Sequence, residues 1–422
     1  MRRCSEDPPQ PECRADRQSR ADATARARQV TRIEIPTPLP DRYERSGPLP
    51  EDALARLMAM RGALGITRIA DITGLDRIGV PVVQVVRPFS LSNAVSQGKG
   101  GTMTQAAISA ILEAAEAYFA ERVDRFESVV ASASSLSIAA GRFARHLRDG
   151  APPDWHDQEI AWVEATNLMD GSRSMVPLEL VHTAYTVPPQ PYDGIFAAST
   201  TGLAASFVET DAIAHGILEC VERDAVARAN RIHGFFQRNR IDPATIDDAA
   251  VCEFLETLSA KGLIVGLWQA PSPIGIATIC CHLMEDVEGQ EALLPHPAIG
   301  SAASLDPAAA IAHAILEAAQ SRLAAISGAR DDMTRAVYPK YPDWQMIAAH
   351  RRLIAEGPRT QSFLKLSKPE TEGVKDGLPP LLALLESSHI RDVNLIRLET
   401  EPLTGLSVVR IVIPALQPLL ES

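Results

Sequence analysis

Between Glu209 and Asp224 apolar side chains recur at helical spacing, with Ile213, Ile217, Leu218 and Val221 forming one stripe. Glu219 and Glu222 are three apart and leave the same side of that helix, and Arg223, four beyond Glu219, can reach it too. The pattern occurs twice more, upstream as Ser109-Ala-Ile-Leu-Glu113-Ala-Ala-Glu116 and downstream as His313-Ala-Ile-Leu-Glu317-Ala-Ala-Gln320. Copies roughly a hundred residues apart are not a solenoid, whose period would be roughly 20 to 50 residues. The pattern predicts three equivalent helices converging on one place.

Around them the hydrophobic pattern predicts a mixture of elements. Residues 50–62 read as a short helix, Gly65–Asp76 as strand and turn, and Pro81–Arg87 as a β-branched strand. A glycine-rich loop, Ser96–Thr102, precedes the first motif helix from about Thr104. Residues 136–148 read as a helix, and residues 159–182 as two strands about the turn Asp170-Gly171. Small residues, Ser199–Ser206, precede the central helix. A helix is expected over 244–261, with strands at 262–269 and 275–284. Asp306 as N-cap with Pro307 behind it marks the start of the third motif helix. Residues 333–390 read mostly as helix and loop, and two strands, Val393–Leu398 and Leu406–Ile413, come last. Helices and strands do not alternate steadily, which predicts an α+β fold and not a doubly wound sheet.

Composition narrows the picture. The chain has 422 residues, 46% hydrophobic and 22% charged, an ordinary globular balance. No apolar run is long enough to span a bilayer. A net charge of -12 argues against a nucleic-acid partner. Six scattered cysteines without a C-x-x-C pair suggest neither disulfides nor zinc, and Cys280-Cys281 reads as core. A cytoplasmic setting is expected. Residues 1–32, rich in Arg, Asp and Pro, are expected to be a disordered tail, with one domain over 33–422.

The candidate chemistry lies in the repeated carboxylates. Glu113, Glu116, Glu219 and Glu222, joined by Glu317, would repel one another beside apolar stripes unless a cation sat among them. Magnesium favours such oxygen ligands, usually with phosphates completing its shell. The alternative is three solvated helices whose glutamates face water. The loop around Lys99 could offer backbone amides and one positive charge to an anion. It is not a Walker loop, because Asn93 takes the first glycine position and Gly100 follows the lysine.

Taken together, these segments resemble the YcaO family of ATP-dependent enzymes. The resemblance is carried by Ser96–Tyr118, Gly202–Asp224 and Ala309–Asp332, with Gly65–Pro81, over a motif core of about residues 60–415. It implies a YcaO-like fold of mixed and antiparallel sheets with the three helices meeting at an ATP/Mg2+ site. It implies phosphorylation of a peptide backbone amide oxygen by ATP, addition of a nucleophile at the amide carbon and departure of phosphate. An internal Cys, Ser or Thr would give an azoline, external sulfide a thioamide. By match to the motifs, Glu113, Glu116, Glu219, Glu222 and Glu317 are the metal ligands. Lys99, Arg223, Arg322 and Arg330 meet phosphate charge as the catalytic set. Ser96, Lys99, Ser109, Gln320 and Arg223 line the nucleotide. His215 and His313 read as packing or capping residues.

The Gly-Ile-Thr-Arg block and the length look like members found with TfuA-type partners, which points to thioamide formation in a precursor peptide or protein, with a sulfur donor. The last residues hold only Pro414 and Pro418, where azoline-forming members have a Pro-x-Pro-x-Pro tail. A homodimer is the oligomer that the resemblance suggests. One segment departs from the family pattern: Thr201 replaces an amide, Ser206 a glycine and Phe207 a polar residue. That departure supports a rival expectation, a non-catalytic scaffold binding ATP or peptide.

Overall fold

Each of the three repeated segments folds as a strand followed at once by a helix. The computed structural model describes residues 47–287, 292–330, 338, 343–366, 377–399 and 405–419. In chain order its elements are α1 (Pro50–Met60), β1 (Arg68–Asp71), β2 (Val82–Val86), β3 (Val95–Lys99), α2 (Met103–Ala120) and β4 (Ser128–Ala131). Then come β5 (Ile160–Asn167), β6 (Arg173–Pro177), β7 (Leu203–Ser206), α3 (Glu209–Arg231), α4 (Phe235–Arg238) and β8 (Ile241–Asp242). Next are α5 (Ala249–Ala260), β9 (Leu263–Gln269), β10 (Ala277–Glu285), β11 (Ala298–Ser304) and α6 (Pro307–Ser327). The last are α7 (Trp344–Glu356), β12 (Gln361–Ser362), α8 (Leu378–Ser387), β13 (Asn394–Arg397) and β14 (Ser407–Val412).

The strands form sheets ordered β1-β2-β3, β11-β10-β9 and β4-β5-β13-β14-β7, with β6 also beside β5. The neighbouring strands within these sheets run antiparallel, whereas the short pair β8–β12 is parallel. This is the mixed α+β architecture that the unsteady alternation implies. β3, β7 and β11 are therefore edge strands of three separate sheets, and each leads directly into a motif helix, α2, α3 or α6.

Close backbone approach explains the small residue in each motif. A Cβ on Gly98 would lie 2.0 Å from the Ala110 amide nitrogen, and one on Gly300 2.3 Å from the Ala314 oxygen. In the central unit a Cβ on Gly216 would lie 3.0 Å from the Gly202 oxygen. Ala110, Gly216 and Ala314 each stand three residues before Glu113, Glu219 and Glu317. A larger side chain there would lift the helix from its strand and move the glutamate with it. The helix starts are set locally. Thr102 and Gln105 form a capping box for α2, and Asp306 accepts the Ala308 amide with Pro307 in the first turn of α6.

Each motif helix has its own hydrophobic core. Ala106, Ala110 and Ile111 of α2 pack with the six-stranded sheet, Ile213, Ile217 and Val221 of α3 pack on β14 and α8, and α6 packs on β9–β11. Burying each Ile or Val stabilises by about 2 kcal/mol. The adjacent thiols of Cys280 and Cys281 are both buried on β10.

Two local expectations change. Residues 95–99 are a strand and not part of a glycine-rich loop, because Gly98 is needed for helix contact, not for a turn. Residues 136–148 hold no α-helix: Ser137 takes a left-handed φ of 58°, and only the 3-10 turn Ala144–His146 is regular. Phe143 enters the core from this irregular segment. The tail expected over residues 1–32 lies outside the described residues.

Candidate active site

The motif glutamates are linked from one unit to the next in a ring. From α2, Glu116 Oε1 accepts the amide of Ala205 in β7 at 2.8 Å. From α3, Glu222 Oε1 accepts Ser301 Oγ of β11 at 2.6 Å. From α6, Glu317 Oε2 accepts Lys99 Nζ of β3 at 3.3 Å. Each helix thus reaches the edge strand that belongs to another, and the carboxylates meet where the units join. Glu219 stays within its own unit and accepts the Gly202 amide at 2.9 Å.

Arg223 sits among the acids. Its Nη1 is 3.0 Å from Glu222 Oε1 and 4.0 Å from Glu317 Oε1, and its Nη2 is 3.5 Å from Glu219 Oε1. Glu222 is the chief reason its guanidinium is held above its ordinary pKa, against the opposing effect of burial. The positive charge is unevenly shared. Burial would raise Glu317, but Lys99 and Arg223 beside it outweigh burial and hold it below the usual range. Burial pushes Glu113 up to about 7, although Arg330 and Lys99 oppose the shift. Glu116 is raised well above its ordinary value by burial, with Glu113 and Glu219 adding repulsion. Glu222 is raised to about 7 by burial in spite of Arg223.

Glu113, Glu116 and Glu222 are thus buried acids that a further cation would help to ionise. Oxygen donors in that state fit a hard divalent ion. Among the described residues no three His, Cys, Asp or Glu side chains are grouped as a ready metal centre. Glu116 and Glu219 rest instead on backbone amides, and Arg223 occupies the space between Glu219, Glu222 and Glu317. An ion would have to draw these carboxylates off their present partners.

The other expected site residues divide. Lys99 is in the cluster, and Arg330, just beyond the end of α6, acts electrostatically on Glu113. Ser109 stands one turn before Glu113 on α2, half-buried. Gln320 Nε2 donates to the Gln97 carbonyl at 3.1 Å, tying α6 to β3. Ser96 shares with Gly98 the face of β3 turned to α2, opposite that of Lys99. Arg322 stands apart from these in its partners: it is 0% exposed and donates to Asp76 Oδ2 at 2.7 Å and to Glu285 Oε1 at 2.5 Å, so its charge is committed to two buried carboxylates. The family resemblance implied a place at the phosphates for Arg322, whereas its partners Asp76 and Glu285 come from distant sequence. His215 is exposed and His313 half-buried, each one helical turn before its motif glutamate.

Sequence reasoning missed Ser301 and Gln97. Ser301 lies in the small-residue strand β11 that leads into the third motif helix. Gln97, 1% exposed, gives its backbone N–H to Glu113, while its side-chain amide has no hydrogen-bond partner among the described residues. Its place directly before Gly98 and Lys99 was the available signal. Phe207 packs against the α2 core, with the Arg56 guanidinium 5.7 Å from its ring centre.

Comparison with known proteins gives the same architecture. The family model for YcaO, described as a cyclodehydratase binding ATP and Mg2+, matches residues 97–417. An uncharacterized protein of Methanothermobacter thermautotrophicus is 32% identical over 371 residues, covering 87% of this chain and 94% of its own. A Rhizobium leguminosarum bv. trifolii protein from the tfuA 3′ region is 29% identical and covered over 84% of both chains. The structure of YcaO from Methanopyrus kandleri bound with AMPPCP and Mg2+ is similar in fold, with a TM-score of 0.65 and 22% identity over 88% of this chain and 93% of its own.

Proposed function

The chain belongs to the YcaO family, whose cofactors are ATP and Mg2+, and from that premise we propose that it activates a backbone amide of a ribosomally made peptide or protein for thioamide formation. The observation that carries the reading is the ring of glutamates from three helices, bordered by Lys99, Arg223 and Arg330. Glu113, Glu116, Glu219, Glu222 and Glu317 would hold Mg2+, and the three basic residues would meet phosphate. When bound, ATP supplies the phosphoryl group that turns an amide oxygen into a leaving group, with Mg2+ neutralising the phosphate oxygens.

The protein's own part is positioning and charge. Arg223 supplies positive charge between α3 and α6 and can move within the carboxylate set as the charge balance changes. The amides of Gly202 and Ala205 hold Glu219 and Glu116 at the junction. Lys99 keeps Glu317 ionised and available as a ligand. The substitution at Phe207 is turned into the core, which favours a working site over a scaffold.

Support for a thioamide, as against an azoline, is the similar Rhizobium protein from the tfuA 3′ region; a TfuA-like partner and a sulfide donor are part of the proposal. The test incubates the chain with ATP, Mg2+, sulfide and a peptide encoded beside it, and weighs the product. Exchange of oxygen for sulfur is expected. Loss of water would mean ring formation, and nucleotide binding without peptide-dependent phosphate release would leave only a scaffold.

A further inference from the structure

The sheet path β4-β5-β13-β14-β7 has the candidate active site at one edge, where β7 gives the Ala205 amide to Glu116. At the other edge β4 pairs with β5 alone among the described residues. β4 is short and uncharged, and its Val129 and Val130 are 54% and 43% exposed. Such an edge offers unpaired backbone groups to another extended chain.

A pocket of about 170 Å³, partly open to solvent, lies beside that edge. Ser128 and Val130 line it, two apart and so on one face of β4. Val123 and Leu178 add apolar wall, and Glu179, His182 and Asp193 add polar groups. The space is roughly ten times what one water needs, enough for a long side chain.

The charge in this pocket is acidic. Glu179 accepts the amides of Gly194, Ile195 and Phe196 at 2.6, 3.1 and 3.0 Å. Asp193 Oδ1 is 3.1 Å from His182 Nε2, and His182 Nδ1 accepts the Ala184 amide at 3.2 Å. A ring nitrogen that accepts holds no proton, so His182 is neutral and donates its one N–H to Asp193. No Lys or Arg among the described residues forms a salt bridge with either acid. Arg148, whose guanidinium borders Gly194, forms none. Burial raises the Glu179 carboxyl against its three amide partners, and Asp193 adds repulsion. Asp193 keeps 16% of its side chain exposed, so a cation entering from solvent can reach it.

We propose that the pocket and the β4 edge together bind an extended segment of the substrate peptide or protein, with one Lys or Arg side chain in the pocket. The segment's backbone pairs with β4, and every second side chain then lies on the face of Ser128 and Val130. The basic residue lays its apolar stem along Val130 and Leu178 and brings its head to Asp193. Tyr192, which lines the pocket and is 49% exposed, can stack on that head. The chain's net charge of -12 favours the approach of a basic segment. That the segment belongs to the substrate rests on the amide-activation reading above; the site itself does not. From β4 to β7 is four strand spacings, about 19 Å. At least about six extended residues therefore separate the basic residue from the amide that reacts.

The probe is a fluorescein-labelled synthetic peptide, Ser-Thr-Val-Lys-Val-Thr-Ser-amide, titrated into the full chain without nucleotide. Its anisotropy should rise on binding. Norleucine in place of its Lys keeps the stem, removes the charge and should weaken binding about tenfold. Equal affinity for the two peptides, or no binding up to roughly millimolar protein, would overturn the pocket. Asp193→Asn keeps an acceptor for His182 and should erase the preference for Lys; a preference that persists also counts against the pocket. If this variant fails to fold, the two peptides on the unaltered chain still decide. Bound peptide should slow amide hydrogen exchange in Ser128–Ala131, and unchanged exchange there would refute the strand pairing. Exchange in β4 of the free chain that slows as protein concentration rises would give the edge to a second copy and overturn the proposal. Thioamide formed with the same KM whether or not the substrate carries a basic residue sinks this site and spares the proposed function. Lys-dependent binding in a chain that makes no thioamide sinks the function and spares the site.

Discussion

Glu116 and Ala205 are joined by a 2.8 Å hydrogen bond that links the first motif helix to the edge strand of the second unit, 89 residues away in sequence. An acid placed at an expected metal site is thus held by a backbone amide. Glu116→Gln keeps an oxygen for that amide and removes the charge. The variant should fold, lose the rise in unfolding midpoint that Mg2+ with an ATP analogue gives the parent, and turn over ATP about 10²-fold more slowly or worse. Glu116→Ala leaves the Ala205 amide without its acceptor and should also cost about 1–3 kcal/mol of stability. Normal turnover in Glu116→Gln would remove this residue from the site.

Glu113 makes the cluster sensitive to pH. Burial raises its carboxyl from 4.5 to about 7. Between those values the folded chain holds a proton that the unfolded chain has released. Its contribution to stability is complete below pH 4.5 and is lost as pH rises through about 7. Without metal or nucleotide, Glu113→Gln should therefore gain on the parent as pH rises through that window, reaching about 2 kcal/mol once solvent screening at this half-buried site is allowed for. Urea unfolding over a pH series measures it, and parallel curves for the two proteins would contradict the shift.

Gly98 tests the strand-to-helix contact. A Cβ there would lie 2.0 Å from Ala110 N and 2.3 Å from Ala106 O, both backbone atoms of α2. Gly98→Ala should destabilise by about 1–3 kcal/mol or more and displace Glu113 with the helix, so nucleotide binding weakens as well. Gly141→Ala is the control, since a Cβ there meets nothing within 4 Å. Equal unfolding midpoints for the two variants would show that α2 yields freely.

Arg322 separates a structural from a catalytic role. Arg322→Met would leave Asp76 and Glu285 buried without their shared cation, which costs about 3–5 kcal/mol. Chemical denaturation should show that loss, while KM for ATP in the surviving folded fraction stays near the parent's. A change confined to KM with stability intact would return Arg322 to the phosphates.

The repeated small-Ile-Leu-Glu pattern was enough to locate three helices, their inward faces and the acids they carry. Helical periodicity is local, so α2, α3 and α6, the Asp306–Pro307 start and the hairpin about Asp170-Gly171 were all legible in the sequence. Which acid meets which base was not legible. Arg322 and Arg223 stand at similar distances from a motif glutamate, yet one is buried with Asp76 and Glu285 and the other lies among Glu219, Glu222 and Glu317. That division depends on sheet order, because β3, β7 and β11 are edge strands and each receives a side chain from another unit. Charges find partners through space at a few ångströms, and the sequence separations involved, from Glu116 to Ala205 or from Lys99 to Glu317, carry no periodic signal. The chain by itself determined the helices and their acids; only packing decided the ring they close and the bases that each acid meets.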